Sequence, residues 1–405
     1  GFMNKVMKLG LVLLPILTAC DNAKNIKEKG VLVNNPAEGG AMTQWVSVPV
    51  PDAQSQWRVK GVPSEWRNTP EGGKALFAAI NVTPGTSEYY PLTRISAGQP
   101  VEDFAHAELS IRTGGEWNGT VYEAQEFSFE TVEHFVAPEQ LTDHSYYLRY
   151  EGPGWESDKV GYRLYFDWRN AIDVFVKTGS DPVLSKVGQD GYDSYHSLSE
   201  WGGDALKVGK SLGVGALGRK TDDGILHFQY VDNTSYTLLE NSQTSASFKV
   251  NYENWALDEN GSAGVDIQTV YRINAFDPTT HINVKASEAA SGIVAGLVAH
   301  DNTQVIDVKG AEWGVIGTWG PQSVLGDQDK LGLAVFYRLD QVVGVEKGEF
   351  DHLVMFKPLT AFEYKILAVW PQRDEAIHSA EAFSTLLEDK LNAFENPISV
   401  QVVEK

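Results

Sequence analysis

Cysteine occurs once in the 405 residues, at Cys20. The chain therefore has no means of forming an intrachain disulfide or a thiolate-rich metal centre, and its stability has to come from packing. Positive charge is also scarce. Lysine and arginine together number 33 against 54 aspartates and glutamates, a net charge of −21, and the isoelectric point lies near 4.8. Such a field repels phosphate backbones, so nucleic acid is excluded as a partner, and an anionic small ligand needs a locally basic pocket. After the N-terminal segment no apolar run is long enough to span a bilayer. What the chain has is 42% hydrophobic residues, 38 glycines, 16 tyrosines and 11 tryptophans. Aromatics and glycine distributed among short alternating runs point to an all-β globular protein.

The first 20 residues read as an address. Gly1 and Phe2 precede Met3 as residues added ahead of a natural start. Met3 to Lys8 is basic, Leu9 to Leu17 is apolar but too short to cross a membrane, and Leu17-Thr18-Ala19-Cys20 closes the segment. This resembles a bacterial lipobox, with Cys20 as the lipidated residue. The expected location is the cell envelope, facing the periplasm or the cell surface, with membrane contact only through that lipid anchor. Residues 21–43 are polar with little periodicity and read as a flexible tether; residues 44–405 read as one β-sandwich catalytic domain.

The stretch from Tyr150 to Phe175 organises the rest. Alternation from Val160 predicts a strand with Val160, Tyr162, Leu164, Phe166 and Trp168 on a core face and Gly161, Arg163, Tyr165, Asp167 and Arg169 on the other. A solvated strand whose charges pair with one another is the alternative. A Gly/Pro turn, Glu151 to Glu156, precedes the strand and holds Trp155, while Asn170 and Asp173 continue the polar spacing beyond it. These features favour a site.

Elsewhere, the Trp45–Trp57 run contains Pro49 and Pro51 and suits an edge strand or turn. The segment Leu206 to Gly215 is Gly-rich but lacks phosphate-loop spacing, so it reads as tight turns laid against a cleft wall rather than as a nucleotide site. Phe248–Glu253, Val265–Ile273, Ile282–Lys285, Leu333–Leu339, His352–Lys357 and Tyr364–Trp370 are further strands. One helix carries Phe383, Leu386, Leu387 and Phe394 at helical spacing, with Ser379 as its cap and Pro397 beyond it. This number of strands predicts stacked antiparallel sheets, a large sandwich with a C-terminal helix.

The motifs from Tyr150 to Arg163, Asp167-Trp-Arg-Asn-Ala-Ile-Asp173, Tyr195-His196, Trp201-Gly-Gly-Asp204 and Lys207 to Gly213 resemble an uncharacterised domain family of secreted bacterial proteins found in polysaccharide-degradation gene clusters. The resemblance covers roughly Val48 to Pro397. It implies a mutarotase-like supersandwich and a role on uronate-containing oligosaccharides of the ulvan or pectin type. On such substrates the expected reaction is β-elimination by a carbon–oxygen lyase or hydro-lyase. Elimination beside a carboxylate needs a cation to hold that carboxylate and a positioned acid or base. Arg163 and Arg169 fit the first role and His196 and Tyr195 the second, with Trp155, Tyr165, Asn170, Trp201, His134 and His300 as substrate contacts. No cofactor is required, and no metal-ligand spacing is present. Two rivals remain open. Glycoside hydrolysis would draw on Asp167, Asp173, Asp193 and Asp204; a noncatalytic sugar-binding lipoprotein would stack sugars on Trp117, Trp155, Trp201 and Trp319.

Overall fold

The computed structural model describes residues 27–53, 56–94, 103–192, 194–256, 258, 260 and 264–405. The expected signal segment with Cys20, and Asp193, lie outside them. The described chain is built of antiparallel sheets with one long helix near the C-terminus, in agreement with the all-β expectation. Its centre is a nine-stranded sheet in the order His134–Val136, Asn233–Asn241, Ser245–Trp255, Val265–Asn274, Thr280–Ala286, Ala361–Val369, Leu331–Arg338, Trp313–Gly320 and Gln304–Lys309.

Period-2 alternation sends the side chains of this sheet into two cores. In Leu331–Arg338, Leu331, Leu333, Val335 and Tyr337 join the main core, whereas Ala334 and Phe336 point the other way. The opposite face is covered by the helix Ala380–Glu395, whose Phe383, Leu387 and Leu391 pack on Trp313, Val315 and Trp319. Ser379 caps that helix, its Oγ accepting from the Ala382 N–H at 3.0 Å. Glu395 ties the last turn back to the sheet by accepting from the N–H groups of Glu312 and Trp313.

Against the main face lie two five-stranded sheets. The first runs Gly202–Asp204, Ile172–Lys177, Gly161–Leu164, Gly154–Ser157, Ala105–Glu108; the second runs Gly224–Leu226, Val214–Thr221, Ile293–Val298, Asp351–Phe356, Val342–Lys347. They meet where Gly213 bridges Ile172. Gly213 has φ +72°, and a Cβ there would sit 1.9 Å from the Ile172 carbonyl oxygen, so only glycine allows this junction.

Two local expectations are corrected and one agrees. The tether over 21–43 is not flexible throughout, because Lys29–Asn35 is a strand pairing with both Thr86–Arg94 and the C-terminal strand Ser399–Glu404. The Trp45–Trp57 run behaves as expected: it divides into Gln44–Val48 and Trp57–Val59, each an edge strand of its own sheet, with Pro49 and Pro51 between them. The organising strand ends at Leu164. Asn170 adopts φ +47° and its N–H bonds to the Asp167 carbonyl at 3.1 Å, closing a turn that leaves Trp168 37% exposed instead of in the core. No helix among the described residues is long and apolar enough to cross a membrane.

Candidate functional site

A cavity of about 820 Å³ opens between the two five-stranded sheets. Asp173 and Asp204 reach it from the first sheet and Asp351 and Leu353 from the second, while the Leu206–Ser211 loop forms a wall. The Gly-rich segment thus lies along the cleft as expected.

Beneath the cavity, Arg163 is completely buried and its Nη2 donates to Asp173 Oδ2 at 2.6 Å, Asp204 Oδ2 at 2.7 Å and the Tyr165 hydroxyl at 3.1 Å. Its Nη1 donates to the Tyr150 carbonyl at 2.9 Å and lies 3.6 Å from Glu151. Arg169 is held by both oxygens of Asp167, at 2.9 and 2.7 Å, and by Glu151 at 2.9 Å. The Tyr165 ring lies against both guanidinium groups, 4.4 Å from that of Arg163 and 4.0 Å from that of Arg169. The turn at Asp167–Asn170 is what brings the two arginines to one tyrosine; an extended strand would separate them.

Asp173 and Asp204 hydrogen-bond to each other and divide the protonation states. Burial and then the neighbouring Asp204 charge push Asp173 well up, so it holds a proton. Burial also opposes ionisation of Asp204, but Arg163 and a hydrogen bond from His196 outweigh it and keep Asp204 ionised. His196 Nδ1 stands 3.3 Å from Asp204 Oδ2. An ionised carboxylate only accepts, so Nδ1 carries the hydrogen, which leaves Nε2 as the nitrogen that can exchange a proton. Asp204 Oδ1 is buried with no protein partner.

Two groups that line the same cavity were not singled out from the sequence. Asp351 is buried, and that burial raises its carboxyl to about 7 although Oδ1 accepts from the Leu212 N–H at 2.9 Å. The readable signal was a carboxylate opening a β-rich run in phase with apolar Leu353. His227 donates from Nδ1 to the Arg169 carbonyl at 2.8 Å, and burial lowers its pKa, leaving a neutral ring with Nε2 as acceptor.

Of the expected site residues, the structure gathers Arg163, Tyr165, Arg169 and His196 around the cavity floor. The others are packed beneath that floor, as Tyr195 is beside Arg163 and His196, or stand elsewhere. Tyr195 is 2% exposed and packs edge-on to Phe175 with centroids 6.1 Å apart. Burial, above all, pushes its hydroxyl far up the scale, which removes it as a base. Trp155 is a core residue, packed against Phe248 and Tyr271 and donating to Thr280 at 2.8 Å. Asn170 is buried and accepts from the Tyr252 hydroxyl. Trp201 packs on Phe175 and is absent from the cavity lining. His134 pairs with Thr237 on an edge strand of the nine-stranded sheet, and His300 donates to the Lys207 carbonyl at 2.7 Å behind the loop wall. Trp319 is buried under the helix and Trp117 packs on Tyr122 and Tyr147. Among the described residues no three His, Cys, Asp or Glu side chains are arranged to hold a metal ion.

Residues 57–400 match the family described as Domain of unknown function (DUF4861). The chain belongs to that family. No curated protein matches the sequence. Solved structures similar to the chain include an alpha-mannosidase from Enterococcus faecalis V583, 10% identical over 93% of this chain at a TM-score of 0.36. A protein in glycosyl hydrolase family 38 from Enterococcus faecalis is likewise 10% identical over 93% of the chain, at a TM-score of 0.38. The chain spans less than half of either, 46% and 47%. Likeness at this level assigns no activity.

The carbon–oxygen lyase expectation is corrected. The site does not offer the groups that were assigned to that reaction. Arg163 and Arg169, the two residues expected to neutralise a substrate carboxylate, are both engaged by protein carboxylates.

Proposed function

We propose that this protein is a carbohydrate-active hydrolase cleaving a glycosidic bond in the cavity between the two five-stranded sheets. The observation that supports this reading is a pair of carboxyl groups in opposite states lining one cavity. Asp204 is kept ionised by Arg163 and linked to His196, whereas Asp351 is raised to about 7. Glycoside hydrolysis asks for such a division, one group to protonate the leaving oxygen and one to deprotonate water.

Asp351 is the proton donor in this scheme. His196 takes the proton of the attacking water on Nε2, and Asp204 stabilises the imidazolium that results. Asp173, protonated and hydrogen-bonded to Asp204, holds that carboxylate in place; it is a positioning residue. Lys207 and Lys210 line the cavity and make no ion pair among the described residues, which supports an acidic sugar, such as the uronates implied by the resemblance, as the residue bound there. On this reading Cys20 tethers the enzyme to the cell envelope; the mass of the mature N-terminal peptide from cells tests that, and an unmodified Cys20 contradicts it.

The test of activity is incubation with oligosaccharides of ulvan, pectin, alginate, glycosaminoglycans and mannan, following reducing ends and ultraviolet absorbance together. New reducing ends without absorbance are expected, and Asp204→Asn abolishes them. Tight binding without cleavage points to a sugar-binding protein, and an absorbing unsaturated product contradicts hydrolysis.

A further inference from the structure

We infer that the cleft extends past Trp168 into a second sugar-binding subsite that takes a neutral residue of the chain, with Trp168 as its stacking platform. This deepens the hydrolase reading and rests on it. A separate cavity of about 940 Å³ is lined by Ala137, Pro138, Leu141, Phe166, Phe228 and Val231 together with polar groups. Trp168 lines both this cavity and the one holding Asp204 and Asp351. It is the wall the two share.

Three features of that wall favour a sugar. Trp168 is 37% exposed, although it sits between two buried segments, and exposure of so large an apolar ring beside a cavity marks a contact surface. Its ring is fixed from both sides: Nε1 donates to Asp143 at 2.8 Å, and the His227 ring meets it edge-on with centroids 5.8 Å apart. A platform held in this way loses little freedom when a ligand lands on it. It also stands on the turn that positions Arg169, so the platform and the charged floor belong to one rigid unit.

The polar lining sets the ligand class. Glu139, Asp167, Asp232, Gln229, Asn233, Thr142 and Thr234 supply acceptors and amides, and neither lysine nor arginine lines this cavity. Asp167 is taken by Arg169, and Asp232 accepts from Asn254 at 3.1 Å. Glu139 is exposed and makes no hydrogen bond or ion pair among the described residues. A carboxylate or sulfate placed here meets only negative charge, whereas sugar hydroxyls can donate to these acceptors. The two cavities therefore differ in their cations: the first has Arg169, Lys207, Lys210 and Lys220 among its acidic groups, the second has none. An oligosaccharide lying across Trp168 places an acidic residue on one side and a neutral residue on the other.

The experiment measures KM and kcat of the full chain, Trp168→Ala and Trp168→Phe on ladders from disaccharide to hexasaccharide of pectin, ulvan and mannan. Expected for the wild type is a KM that falls with length once the chain reaches the second cavity. Trp168→Ala loses that gain, with KM on the long substrates rising roughly two- to tenfold, the scale of one aromatic contact, and Trp168→Phe restores most of it. A cleaved ladder whose length dependence is the same in Trp168→Ala overturns the second subsite and leaves the hydrolase reading standing. A wild type that neither binds nor cleaves any ladder overturns both.

Discussion

Two buried ionic clusters sit in the same five-stranded sheet, and they differ in how completely they are satisfied. Lys177 and Glu156 are both fully buried and pair at 2.8 Å. Glu156 also accepts from the N–H groups of Val183 and Leu184, and Lys177 donates to the Ser157 carbonyl. One cation meets one anion, and both carboxylate oxygens have partners. Around Arg163 the count is unequal. One guanidinium faces Asp173, Asp204 and Glu151, and Arg163 Nε and Asp204 Oδ1 are left without partners. Polar groups buried at a cost are either completed by the fold or left for a ligand to complete. The closed pair is architecture; the open cluster, at the edge of a cavity, is the one available for chemistry.

Breaking each cluster should therefore give opposite outcomes. The largest expected effect is Asp204→Asn, which lowers turnover by about 10²- to 10⁴-fold, as loss of a positioned acid–base group does. Its urea midpoint stays near the wild type, because Asp173 ionises and keeps Arg163 paired. Lys177→Met shows the reverse: Glu156 is left buried and unpaired at a cost of about 3–5 kcal/mol in urea unfolding, while the folded fraction retains its kcat. Lys177→Met combined with Glu156→Leu recovers only part of this, since two backbone N–H groups lose their acceptor.

Next comes Asp351. Its carboxyl in the folded protein is raised to about 7 from the ordinary aspartate value of 3.8, so the folded state holds a proton that the unfolded chain releases between those values. As pH rises through this window stability falls, and kcat/KM, which needs the protonated form, falls as pH passes about 7. Asp351→Asn removes both dependences, measured by pH-resolved denaturation and rate profiles. The smallest effect is expected for Arg169→Lys. It loses the two-point contact with Asp167 and costs about 1 kcal/mol of stability, read as a shift of the urea midpoint.

The fold class was legible because the strands of the main sheet write their burial as strict alternation. Val265, Ile267, Thr269, Tyr271 and Ile273 are all buried on one face, as their spacing implies. The helix was legible from Ser379 and its apolar spacing. Alternation held to Phe166 and failed at Trp168, where Asn170 turns the chain back, because periodicity carries no information about a left-handed residue ahead. Trp155 misled through its Gly/Pro neighbours: they place it in a short buried strand rather than on a loop. Arg163, Tyr165 and His196 were identified as chemistry-bearing residues, yet the carboxylates that neutralise Arg163 could be recognised as its partners only once Gly202–Asp204 was seen to pair beside Ile172–Lys177. Asp351 reaches the cavity from a different sheet, a relation that local sequence does not encode.

The central claim is that water is added across a glycosidic bond under the control of Asp204 and Asp351, and isotope incorporation tests it most directly. The protein is incubated with an active oligosaccharide in water enriched in heavy oxygen, and the products are weighed by mass spectrometry. The account predicts that one product carries a single heavy oxygen at its new reducing end, and that Asp351→Asn suppresses this product. A product free of heavy oxygen and bearing a new carbon–carbon double bond would contradict it.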